Sequence, residues 1–177
     1  MNDNRAAFGK LINDHQDKIF HVAMGMLGNR DEALDITQEV FLKAFKSYND
    51  FRFNSSFETW LIRITINKVK DYIRKEKLKR FLFLKPENST EKIITMVKDN
   101  NPSPHENLEQ KQIGVKLKSF QESLKGRERE VFALRFGCEY SIKDISALIG
   151  IGQSSVKTYL YRALDKAKRN FKDLEKP

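Results

Sequence analysis

At 177 residues the chain can form one ordinary domain or two small ones, each able to bury a modest core. With 33 Lys+Arg against 24 Asp+Glu, the formal net charge of +9 favours a polyanionic partner, either nucleic acid or an acidic membrane surface. A single cysteine, Cys138, excludes an internal disulfide and a cysteine-rich zinc site, and fits a reducing compartment.

The charge is unevenly spread. Residues 1–80 carry 15 basic and 11 acidic side chains, residues 107–177 carry 15 and 9, and residues 81–106 between them carry 3 and 4. The N-terminus MNDNRAAFGK lacks an apolar signal region and no apolar run approaches bilayer length, so a soluble cytoplasmic protein is expected. In that setting Asn88-Ser89-Thr90 matches the glycosylation sequon by chance.

In chain order, Phe8, Leu11, Ile12, Ile19, Val22, Ala23 and Met26 recur at helical spacing, and Gly28-Asn29 ends the pattern as a C-cap would. Asn29 or Asp31 can cap a second helix running to Tyr48, with Leu34, Val40, Phe41, Ala44 and Phe45 expected inside. On its polar side Asp35, Gln38 and Glu39 lie at i, i+3, i+4. That patch suits a basic partner surface, and it also suits water.

Asp50 to Ser56 breaks the pattern with a loop holding Phe51, Arg52 and Phe53. Ser55, with Glu58 at capping-box spacing, is expected to cap a third helix reaching about Arg80. Phe57, Trp60, Leu61 and Ile64 make one apolar stripe of this helix, and Ile62, Ile66, Val69 and Ile73 make a second. The narrow remainder is Arg63, Asn67, Lys70, Arg74 and Lys77. A cationic line beside an aromatic loop is the arrangement that stacks bases and tracks phosphates of a single strand; a solvated cationic edge has the same spacing.

From Phe81 to Glu106 periodicity fades, Pro86, Pro102 and Pro104 appear, and 81–106 reads as a linker. Helical spacing returns with Leu108, Ile113, Val115, Leu117, Phe120 and Leu124. Gly126 then punctuates before Val131, Phe132, Leu134 and Phe136. From Ser141 to Lys168 two short helices share a seam made by Ile142, Ile145, Leu148 and Ile149 on one and Val156, Leu160, Ala163, Leu164 and Ala167 on the other. Ser141 and Asp144 start the first as a capping box, and Gly150-Ile151-Gly152 turns the chain. The free face of the second offers Ser154, Lys157, Thr158, Tyr161 and Arg162, which suit phosphates and base edges in a major groove, or the solvated side of a plain helical hairpin.

No stretch reads as a sheet. The expected fold is all-α: a helical domain at 1–80, a flexible linker at 81–106 and a helix-turn-helix domain at 107–177.

From the first helix to Phe171 the chain resembles the extracytoplasmic-function (ECF) class of bacterial RNA polymerase sigma factors. The resemblance is carried by Asp35-Ile36-Thr37-Gln38-Glu39-Val40-Phe41, by Ser56-Phe57-Glu58-Thr59-Trp60-Leu61 running into Arg63, Ile64 and Asn67, and by Leu124 to Phe136 ahead of the helix-turn-helix. It implies a non-catalytic subunit that directs core RNA polymerase to promoter DNA. Asp35, Gln38 and Glu39 would contact the polymerase clamp. Phe53, Asn54, Arg63, Asn67 and Lys70 would hold the melted minus-ten strand. Arg135, Ser155, Lys157, Thr158, Tyr161 and Arg162 would face the minus-thirty-five duplex.

The chain departs from the family pattern at Lys125 and Gly152, where proline is frequent, at Ser154, where glycine is frequent, and at Tyr159, where a basic residue is frequent. The large sigma factors' N-terminal autoinhibitory region has no counterpart, so restraint is expected from another molecule, an anti-sigma factor that is membrane-bound or soluble. No cofactor is expected.

Two other classes remain on the sequence. A conventional regulator with a C-terminal helix-turn-helix leaves the segment from Phe51 to Lys77 unexplained. A nucleic-acid enzyme lacks support, because His15, His21 and His105 are scattered and no glycine-rich phosphate loop is present.

Overall fold

The computed structural model describes residues 2–48, 51, 55–83 and 107–172, and among these the side chains of 8–48, 51, 55–82 and 115–172. Arg52, Phe53, Asn54, the sequon at Asn88, the segment 84–106 with His105, and the side chains of Leu108 and Ile113 therefore lie outside the described residues. All regular structure described is helical: α1 (Asn2–Leu27), α2 (Arg30–Ser47), α3 (Phe57–Phe83), α4 (Asn107–Ser123), α5 (Arg127–Phe132), α6 (Ile142–Ile149) and α7 (Gln153–Phe171).

The first three helices pack on one another through the stripes their spacing predicts. Ile19, Val22, Ala23 and Met26 of α1 are buried. Gly28, at φ 72°, ends that helix, and Asn29 rather than Asp31 caps α2, its Oδ1 accepting from the N–H groups of Asp31 (2.9 Å) and Glu32 (3.1 Å). The buried row of α2 is Ala33, Ile36, Thr37, Val40, Phe41 and Ala44. Leu34 and Phe45, expected inside, are instead exposed. Thr37 takes an inward place because its hydroxyl donates to the Ala33 carbonyl (2.7 Å), so a polar residue sits in the apolar row and shifts its phase.

The third helix starts one residue later than expected. Ser56, not Ser55, caps it, with Oγ accepting from the Thr59 N–H at 3.1 Å. Glu58 is consequently released from any capping role. Leu61, Ile62, Ile64, Ile66 and Val69 are buried, while Phe57, Trp60 and Ile73 are half-buried against the same core. At about 1.5–3 kcal/mol for each large aliphatic side chain fully buried, packing rather than helix propensity sets the rotation of α3.

In the second unit Phe120 and Leu124 of α4 meet Ala163 of α7, with Phe132, Ala167 and Phe171 around them. Val115 and Leu117, expected inside, are exposed; α4 engages α7 through its later residues, among them Ser119, whose hydroxyl donates to Asn170 Oδ1 at 3.2 Å. The chain leaves α5 in a single π-helical turn, Ala133–Gly137. Its extra residue per turn keeps Leu134 buried but swings Phe136, expected inside, to the surface.

Ser141 caps α6 by accepting from the Asp144 N–H (3.1 Å), and Gly150 closes it in the left-handed region at φ 69°. Ile145 and Leu148 then face Val156 across the turn, completing the helix-turn-helix seam. The two units are also in direct contact. Val131, Ala133, Leu134, Ile145, Leu148 and Val156 belong to the same buried cluster as α1, α2 and α3.

Candidate nucleic-acid interface

Three surfaces carry the residues singled out in the sequence. On α2, Asp35, Gln38 and Glu39 are all exposed on the side opposite the buried row. Leu34, Leu42 (63% exposed) and Phe45 (49% exposed) share that side, so the face is amphipathic rather than purely acidic. Glu39 is partly committed, since its carboxylate accepts from Lys68 Nζ at 2.7 Å. Beneath the patch, burial and then the Glu32 carboxylate push the Tyr72 phenol up to about 12, so it stays a neutral donor.

On α3 the strip Arg63, Asn67, Arg74 and Lys77 is exposed and Lys70 is half-buried. Its two ends differ in their partners. Arg74 pairs locally with Asp71, whereas Arg63 Nε donates to the Leu148 carbonyl (3.2 Å) and Lys70 Nζ lies 2.7 Å from Glu130 Oε1. Glu130 is 1% exposed and is held from the other side by Arg127 at 2.6 Å. The strip is thus brought together as expected, but two of its cations contact the second unit. Phe51 is buried against Trp60 (4.9 Å between centroids) and Phe57 (5.8 Å), so it is core and offers no face to a base. The expected partners Phe53 and Asn54 lie outside the described residues.

On α7, Ser154, Ser155, Lys157, Thr158, Tyr161 and Arg162 are all exposed, with Tyr161 at 70%. Arg162 leans over the Tyr159 ring at 6.0 Å, which orients the guanidinium. Arg135, also exposed, donates to the Tyr140 carbonyl at 3.1 Å and so reaches toward the start of α6. Gly152 precedes α7 without a side-chain cap, so no side chain competes with a phosphate for its first-turn N–H groups.

One cluster was not legible in the sequence. Glu58 of α3 accepts from the Tyr140 hydroxyl and from Lys18 Nζ (2.9 Å), and Lys18 also lies 5.5 Å from the Tyr140 ring centre. Burial raises the Glu58 carboxyl, but the Tyr140 and Lys18 contacts outweigh it and hold the group below its ordinary range. Burial, reinforced by Glu58, pushes the Tyr140 phenol far up. Next to it the Cys138 thiol, pushed up to about 11 by burial, lies 3.6 Å from the Lys18 carbonyl. Only a residue pairing 82 positions apart reveals this contact.

Among the described residues no three His, Cys, Asp or Glu side chains stand where they could hold a metal ion. His15 and His21 each place Nδ1 against a carbonyl of their own helix, Leu11 (2.9 Å) and Asp17 (2.7 Å). No helix of the described residues is long and apolar enough to cross a membrane.

Comparison with known proteins supplies the family. The family model for sigma-70 region 2 matches residues 11–79, and that for sigma-70 region 4 matches residues 115–166. The ECF RNA polymerase sigma factor SigW of Bacillus subtilis is 29% identical over 171 residues, covering 95% of this chain and 90% of SigW. Among solved structures, CnrH in complex with the cytosolic domain of CnrY matches at TM-score 0.65 and 21% identity, covering 97% of this chain and 91% of that one. The sigma factor RpoE of Bartonella quintana, solved with the anti-sigma factor NepR, matches at TM-score 0.63 and 19% identity, covering 94% and 97%. At these identities the structural matches establish a shared fold. With both sigma regions present in order along a chain that aligns over nearly its whole length with an ECF relative, this protein belongs to the ECF class of bacterial RNA polymerase sigma factors, which are non-catalytic initiation factors.

Proposed function

We propose that this chain docks on core RNA polymerase through the outer face of α2, holds the melted minus-ten strand along the α3 strip, and reads the minus-thirty-five element as duplex with α7. The observation that carries the reading is the separation of three chemically distinct faces on one molecule. An acidic and apolar face on α2, a cationic line on α3 and a hydroxyl-aromatic-cation face on α7 are each fixed in direction by the buried side of the same helix.

Each face suits its role physically. Asp35, Gln38 and Glu39 offer acceptors to a basic partner while Leu34, Leu42 and Phe45 supply apolar area for the interface centre. Arg63, Asn67 and Lys70 offer donors to phosphates and to an unpaired base. Arg162 and Lys157 can contact base edges or phosphates from the major groove, with Tyr161 and Thr158 between them. The anti-sigma complexes of the fold relatives support a protein inhibitor for this chain as well.

The test is reconstitution. Purified chain, core polymerase and a pool of genomic promoter fragments should yield discrete run-off transcripts that core alone does not produce. Permanganate should find unpaired thymines upstream of the start sites. If the chain binds those fragments as duplex but neither associates with core nor opens DNA, the reading gives way to a conventional helix-turn-helix regulator.

A further inference from the structure

We propose that the cleft between the later half of α3 and the α4–α5 corner binds a nucleoside diphosphate whose base is adenine or cytosine. The site is independent of the roles given above to the three faces, and it rests mainly on residues outside them.

The end of α1, the start of α2 and the later half of α3 make one wall, and α4 with the start of α5 makes the other. The volume enclosed is about 580 Å³, within the range of about 300–1,000 Å³ usual for small-molecule sites. Leu27, Tyr72, Ile73 and Leu124 give the cleft an apolar and aromatic lining on which a flat base can lie.

The carboxylates of the cleft are already committed. Glu32 accepts from the Tyr72 hydroxyl, Glu76 lies 2.7 Å from Lys79 Nζ, and Glu122 lies 4.0 Å from Arg80. Lys70 is taken by Glu130. Lys77, Lys118 and Lys125 line the same cleft and have no ion pair among the described residues. A single carboxylate would leave most of that charge unanswered, whereas a diphosphate meets it.

Recognition of the base falls to two polar atoms that packing leaves unsatisfied. Gln121, 8% exposed, buries Oε1, and Arg129 buries Nε; neither atom finds a hydrogen-bond partner among the described residues. Such atoms lose their hydration without a return, so each marks a place where a ligand atom is due. Burial holds the Arg129 guanidinium below its ordinary range, with Glu122 pulling the other way. The Arg129 guanidinium also donates to the Gln121 carbonyl at 2.7 Å, which brings the two side chains together on one wall. The terminal torsions of glutamine are soft, so a small turn presents the amide oxygen to the cleft. An acceptor beside a donor matches the exocyclic amine and neighbouring ring nitrogen of adenine or cytosine. Uracil presents the opposite pattern at that edge.

Calorimetric titration of the full free chain tests the site without polymerase or DNA. ADP should bind one to one, and about tenfold more tightly than UDP or pyrophosphate, because only its base edge pairs with Gln121 and Arg129. Lys118→Ala with Lys125→Ala changes two exposed side chains and should weaken ADP at least about tenfold. Gln121→Met should erase the preference for ADP over UDP while leaving pyrophosphate binding as it was, with the melting temperature reporting that the variant is folded. Absence of ADP binding at about 1 mM, the bottom of the useful affinity range, overturns the proposal. So does equal affinity for ADP and UDP, or an affinity for ADP that the lysine pair does not affect. Displacement of ADP by a single-stranded DNA octamer would overturn it as well, since the cleft would then belong to the strand path of α3.

Discussion

Two faces of the first unit, set about a helix apart, meet different fates. The outer face of α2 is open, with Asp35, Gln38, Leu42 and Phe45 turned to solvent, whereas the α3 strip is partly covered, with Arg63 and Lys70 held by the second unit. The difference suggests an order of events. On the proposed assignments, the polymerase-docking surface would be open in the free chain, and the DNA-holding surface would be fully uncovered only where the units part. A factor working in this way would meet core first and DNA second.

The largest effect that would break the comparison is on core binding. Asp35→Lys with Gln38→Ala reverses charge on the open face but leaves the Glu39–Lys68 pair in place, so affinity for core should fall about 100-fold, or about 2.7 kcal/mol, with the melting temperature unchanged. Titration of labelled core measures it, and an affinity within twofold of the parent would remove α2 from the docking role. Next in size is duplex recognition, which depends on neither face. Arg162→Ala should cost about 1–3 kcal/mol if the residue meets a base, and Lys157→Ala should lower the slope of log affinity against log salt by about 1. Filter binding of holoenzyme to promoter fragments at several salt concentrations separates the two.

A smaller effect sharpens the covered face. Asn67→Ala, at the exposed middle of the strip, should reduce open complex several-fold on linear duplex while leaving core affinity unchanged, since holding one base contributes about 1–3 kcal/mol. A pre-melted bubble should rescue the variant, and equal permanganate reactivity of parent and variant on linear DNA would mean that Asn67 holds no base. Smallest is the pH effect on the contact between the two units. The Glu58 carboxyl sits below its ordinary value of 4.5 where they meet, so its contribution is present above the unfolded pKa and fades as pH falls through the lower folded one. The contact between the two units should accordingly hold at pH 6 and weaken below about pH 4.5, read as the radius of gyration from small-angle X-ray scattering at the two pH values.

The sequence carried the local grammar well and the long-range contacts poorly. Spacing placed the strip of α3 and the free face of α7 because each is the complement of an apolar stripe, and a stripe is visible in one helix alone. Leu34 and Phe45 were assigned inward because a buried threonine breaks the apolar row of α2, and period counting has no term for a hydroxyl satisfied by its own helix. Ser55 and Ser56 differ by one position, and only the hydrogen bond to Thr59 distinguishes them. The turn at Ala133–Gly137 looked like ordinary helix because a π turn has no residue signature. Glu58 seemed a capping residue until Tyr140, 82 positions away, claimed it.

The most direct test of the ordered account uses the native Cys138, the chain's one thiol, which lies where the two units meet. Burial pushes it up to about 11, so the thiol stays overwhelmingly protonated at pH 8, and access is restricted by Lys18 and its neighbours. Alkylation of the free protein should be slow, and addition of core polymerase without any DNA should accelerate it at least about tenfold as the units separate. An unchanged Cys138 rate in a complex shown to contain both core and this chain would contradict the claim that docking through α2 uncovers the α3 strip.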